Sequence, residues 1–99
     1  MIYHITDRHS WEKFFKKDFY KPGNFEAEGF IHTCSREQVN GVLERYYNGK
    51  TELVLLHIDQ DKVKFPIKYE LSPSVNEKFP HIYGPLNIDA IVEIESINN

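Results

Sequence analysis

The alternation of apolar and polar positions divides the chain into short elements. Ile2 to Thr6 alternates bulky and β-branched residues and predicts a strand. Asp7 or Ser10 then offers a cap, and Trp11, Phe14 and Phe15, three and four apart, predict a helix with one aromatic face turned inward. Tyr20-Lys21-Pro22-Gly23-Asn24 breaks that helix. Phe30 to Thr33 predicts a second strand. Ser35, with Gln38 three residues on, reads as a capping box opening a second helix. That helix carries an apolar stripe at Val39, Val42, Leu43, Tyr46 and Tyr47 and ends at Asn48-Gly49.

Leu53 to Ile58 is apolar on both faces, as a central strand must be. A turn over Asp59 to Lys62, a strand over Ile67 to Leu71 and a polar loop over Ser72 to Lys78 follow. Pro80 and Pro85 then bracket His81, Tyr83 and Gly84, which reads as a rigid loop or an edge. Ile91 to Ile97 alternates and closes the fold. The whole is α+β: a small, curved, mixed or antiparallel sheet with two main helices.

Composition narrows the partners. Ninety-nine residues make a single domain, residues 1–99, able to bury a core without staples. The 40% hydrophobic and 27% charged content points to a globular chain rather than a disordered one. One cysteine, Cys34, excludes an internal disulfide, and no apolar run is long enough to span a bilayer, so a cytoplasmic protein is expected. A net charge of -3 provides no bulk field for nucleic acid; Lys13, Lys16, Lys17 and Lys21 read as a solvated helix face and its exit loop.

The chemistry-bearing pieces are three histidine segments: Ile2-Tyr3-His4-Ile5, Glu28-Gly29-Phe30-Ile31-His32-Thr33-Cys34-Ser35 and Phe79-Pro80-His81-Ile82-Tyr83-Gly84-Pro85. His4 and His32 each stand on one side of a strand among apolar groups, where an imidazole needs partners for both ring nitrogens. The three segments are expected to converge on one pocket. The Ser35-capped helix start would favour an anion such as phosphate beside His32. Glu70 is the carboxylate placed close to that pocket. His9 reads as a loop or cap residue, and His57 as part of a turn. No metal is expected, because His-x-x-x-His, His-x-His and Cys-x-x-Cys spacings are all missing; His32 with Cys34 is the one pair able to chelate. Nucleophile-elbow and phosphate-loop patterns are missing too.

The same segments, with Leu53 to Asp59 and Tyr69-Glu70, resemble the signature blocks of the family called domain of unknown function 952, in the same order and over nearly the whole chain. Its members are small bacterial cytoplasmic proteins without an established activity. That family is in turn similar to the ADP-ribosyltransferase fold and to RNA 2′-phosphotransferases. The resemblance implies NAD or a related nucleotide as ligand, with His4 and His32 facing it on ribose and phosphate and Ser35 and Tyr83 completing the contacts. His32, His81 and Glu70 would then be the catalytic groups. Many such transferases place a glutamate late in the chain, where this sequence offers His81 and Tyr83. The competing readings are a non-catalytic small-ligand or protein-binding module and a metal-dependent hydrolase.

Overall fold

The computed structural model describes residues 1–97. Eight strands and three short helices follow one another: β1 (Ile2–Asp7), α1 (Arg8–Glu12), β2 (Phe19–Tyr20), α2 (Phe25–Glu28), β3 (Ile31–His32), α3 (Val39–Tyr46), β4 (Leu53–Ile58), β5 (Ile67–Ser72), β6 (Glu77–Ile82), β7 (Leu86–Asn87) and β8 (Ile91–Ile97). Single 3-10 turns precede α3, β5 and β8. The fold is mixed α and β with few helices. All strand pairing is antiparallel, in three small sheets ordered β1-β4-β8, β2-β7 and β3-β6-β5, where the sequence suggested one sheet. An isolated bridge ties β1 to the segment that follows β3: Tyr3 and Cys34 exchange both backbone hydrogen bonds, each 2.8 Å.

β4 is the centre. Val54, Leu56 and Ile58 face one apolar cluster, with Ile2, Trp11, Tyr20, Ile31 and Ile82. Leu53 and Leu55 face a second cluster on the other side, with Ile5, Cys34 and Val39, and α3 covers it. The doubly apolar sequence of this strand is therefore a consequence of two cores, one per face.

Three expectations change. The first helix stops at Glu12. Asp7 caps it, accepting from the Ser10 N–H at 2.8 Å, but Phe14 and Lys17 then bond three residues back, to Trp11 and Phe14. At three residues per turn, Trp11 and Phe14 align and pack around Tyr20, while Phe15 swings into solvent. The lysines of this stretch thus decorate successive turns and not a helix face. Second, Ser35 begins a 3-10 turn, Arg36–Gln38, before α3; Gln38 Oε1 accepts from the Ser35 N–H at 2.9 Å, as the capping spacing required.

Third, Pro80, His81 and Ile82 belong to the middle strand of their sheet, not to a loop or an edge, and only Tyr83 to Pro85 leave it as a bend. Residues of an antiparallel strand direct N–H and C=O to the same neighbour. The Pro80 carbonyl accepts from Thr33 N (3.2 Å) and Thr33 Oγ1 (2.6 Å), so its missing donor faces the β3 side. β3 ends at His32, so the proline removes one bond at a strand end and leaves the pairing with β5 intact. The expected polar loop before it shrinks to a tight turn closing the β5–β6 hairpin, with Asn76 N bonded to Ser72 O at 2.8 Å.

Candidate functional site

β3 and β6 bring two histidines together by register: His32 pairs with His81. Both side chains leave the same face, and their ring centroids lie 5.2 Å apart at 76°. Phe30, two residues before His32 and so on that face, stacks on His81 at 4.2 Å and meets His32 edge-on at 4.8 Å. The ring wall fixes both imidazole planes.

Each imidazole has its own carboxylate. Glu28 ends α2, and Gly29 at φ 79 turns the chain back so that Glu28 reaches His32 Nε2. Only a residue without Cβ takes that left-handed position without strain. On β6, His81 Nδ1 donates to Glu70 Oε1 at 2.7 Å, and the Tyr83 hydroxyl donates to the same oxygen. These hydrogen bonds, Tyr83 first and His81 second, hold the Glu70 carboxyl below its usual range, and the same contact raises the Tyr83 phenol. The tautomer follows: His81 carries its proton on Nδ1 and its lone pair on Nε2, while His32, donating from Nε2 to Glu28, carries its lone pair on Nδ1.

His4 lies deeper. Its Nδ1 meets the His32 backbone carbonyl at 2.6 Å and its Nε2 meets the Tyr20 hydroxyl at 3.0 Å. A carbonyl only accepts, so Nδ1 bears the hydrogen and Nε2 accepts from Tyr20. Burial pushes the ring down to about 4, outweighing the contact with the His32 carbonyl, and burial likewise pushes the Tyr20 phenol up to about 12. His4 is thus a neutral strut that fastens the backbone of His32.

His4, His32 and His81 all line one cavity of about 610 Å3. Its other walls include Tyr3, Tyr46, Tyr47 and Phe79, with Glu28 and Asn24 among its polar groups. Glu70 and Tyr83 stand behind His81 and reach the cavity only through it, and Ser35 is not part of the lining. Cys34 lines it as a buried thiol that burial pushes up to about 11, so it stays protonated at neutral pH. His57 sits inside β4 rather than in a turn, donating from Nε2 to Glu95 at 2.8 Å. Its ring nitrogen and the carboxylates of Glu93 and Glu95 lie within 4.8 Å of one another, and Arg36 stands 3.9 Å from Glu95.

Sequence reasoning missed Glu28, Phe30 and Tyr20 as working parts. Glu28 had a signal in hindsight: a carboxylate four residues before His32, across a glycine able to reverse the chain.

A family model described as "Protein of unknown function (DUF952)" matches residues 5–94. The crystal structure of protein CC0527 from Caulobacter crescentus is similar, with TM-score 0.87 and 26% identity over 98% of this chain and 85% of that one. Its solution NMR structure gives TM-score 0.81 and 28% identity over 98% and 84%. No curated protein matches the chain. Among the described residues, no helix is long and apolar enough to cross a membrane.

Proposed function

The chain belongs to the DUF952 family of proteins of unknown function, and on that premise we propose that its cavity binds a nucleotide, NAD or a relative, and that His32 and His81 act on it as an acid–base pair in ADP-ribosyl or phosphoryl transfer. One observation carries the reading. Two imidazoles stand 5.2 Å apart, each tied to its own carboxylate and both open to the same cavity. Single histidines are ordinarily packing residues; two neighbouring rings with fixed tautomers are the arrangement proton transfer requires.

The division of labour follows from the tautomers. His81 Nε2 would take the proton of an acceptor hydroxyl as its oxygen bonds to the ribose C1′ and the C1′–N bond breaks to release neutral nicotinamide, or as it bonds to phosphorus and the leaving oxygen takes a proton from His32, while Glu70 stabilises the imidazolium that forms. Tyr83, donating to the same oxygen, keeps Glu70 ionised and oriented. His32, when protonated, neutralises a phosphate oxygen and is itself held by Glu28. His4 acts through the His32 carbonyl as a positioning residue. The aromatic walls at Tyr3, Tyr46 and Phe79 suit a planar base, and the volume accepts a ligand of nucleotide size.

The test is titration with NAD and with AMP, followed by backbone amide shifts. Perturbation of Tyr3 to Thr6, Glu28 to Cys34 and Phe79 to His81 is expected. No perturbation there at millimolar ligand rejects the reading. Shifts without turnover of NAD or of a phosphorylated RNA end leave a binding module in place of an enzyme.

A further inference from the structure

Phe15, Phe19 and Phe65 expose 49%, 37% and 38% of their surface, although the domain has a core able to take aromatic rings. Phe15 lies four residues before Phe19 in the chain. Phe19 and Phe65 lie 6.3 Å apart, joined across distant parts of the chain. Phe65 packs on Gly84, where a Cβ would come within 2.6 Å of Phe65 Cδ1, and Phe19 is fixed by the β2–β7 pairing. Both rings are held rigidly while remaining open to solvent.

Two of these three exposed rings, Phe15 and Phe19, carry a lysine. Lys16 Nζ lies 5.5 Å from the Phe15 centroid and Lys64 Nζ lies 5.7 Å from that of Phe19; Lys17 stands 5.3 Å from the half-buried Phe14. The stretch 12–21 holds four lysines against Glu12 and Asp18. An acidic protein therefore gathers cations around open π-faces on one segment. Folding alone gives no reason to interleave the two. Lys–aromatic contacts at exposed sites contribute little to stability, and exposed phenylalanines carry an aggregation risk.

We infer that this surface binds a single-stranded nucleic acid, its bases stacking on Phe15, Phe19 and Phe65 and its phosphates meeting Lys16, Lys17 and Lys64. Stacking platforms with flanking cations are the sequence-tolerant way of holding such strands. The surface also leads to the cavity. Phe19 faces outward, Tyr20 turns inward to His4, and Pro22 lines the cavity wall; three residues of chain span at most about 11 Å. Insofar as the strand's terminal nucleotide enters the cavity, the inference rests on the proposed function, but the binding surface stands apart from it.

Anisotropy of a fluorescein-labelled single-stranded RNA about twelve nucleotides long tests this. Binding is expected to weaken steeply with salt, to fall about tenfold or more in a K16E/K64E variant and by a similar factor in Phe15→Ala and Phe19→Ala. Amide spectra of each variant confirm the fold. Shifts on adding RNA should centre on Phe15 to Lys21 and Lys64 to Phe65, away from those caused by NAD. K16E/K64E should leave the NAD shifts unchanged, so the two readings fail separately. The inference is overturned by no binding at about millimolar protein, by equal affinity for duplex, by affinity unchanged in the variants, or by preference for anionic phosphatidylglycerol vesicles over RNA.

Discussion

Glu70 and His81 are joined by a 2.7 Å hydrogen bond that decides which nitrogen of His81 is basic. Glu70→Gln replaces a pure acceptor with a group offering both an oxygen and an NH2. Long-range nitrogen spectra should then show His81 moving from a single Nδ1–H tautomer to a mixture. Under the proposed function, transfer activity should fall by roughly a hundredfold, the usual scale of a misdirected general base. A spectrum unchanged by the substitution contradicts the assigned roles of this pair.

Burial holds His4 at about 4, below the ordinary histidine value of 6.5. The folded state therefore binds fewer protons than the unfolded state between those two values. Its stability contribution is intact above about pH 6.5 and declines as pH falls toward 4. At about 1.4 kcal/mol per unit, the loss at the acid end approaches about 3 kcal/mol. Denaturant curves at pH 7, 5 and 4 measure it. His4→Gln should lower stability at pH 7 and flatten the slope; a slope equal to that of the unsubstituted protein would assign the acid sensitivity elsewhere.

Cys34 is buried, and its thiol is pushed up to about 11. Thiol reagents at neutral pH should modify it slowly in the folded protein and promptly in denaturant, because the thiolate is the reactive form. Rapid native modification would show that the cavity floor opens more readily than its packing implies.

Gly84 has φ 156, and a Cβ there would intrude on the Phe65 ring. Gly84→Ala should cost about 1–3 kcal/mol, and for a domain this small each kcal/mol is about 4–8 °C in Tm. A melting temperature within a degree or two of the parent would mean that Phe65 can move aside freely.

The sequence displayed its strands more clearly than its helices, for physical reasons. β4 announced itself because both faces are apolar, and Ile91–Ile97 because its β-branched residues are interleaved with polar ones. The helix over Trp11, Phe14 and Phe15 was overread: the spacing was right for two of the three rings, and a 3-10 continuation satisfies those two alone. Pro80 argued against a central strand, since nothing local reveals that the neighbouring strand ends where the proline's donor is missing. The three histidine segments were visible as unusual patches. Their division into a buried strut, His4, and a facing pair, His32 and His81, depended on the β3–β6 register, which separates residues 49 apart in the chain and leaves no local trace.

The Tyr3–Cys34 bridge ties the first strand to the segment after β3 with two short bonds, directly along the cavity wall. Such a seam forbids the two sheets to hinge apart like covers of a book. A guest bulkier than the chamber must find its extra room at the rim, from Tyr46 and Tyr47 at the end of α3 or the turn between β5 and β6. Any change in what relatives of this protein accept should accordingly be written in those rim positions, with the stitched wall left alone.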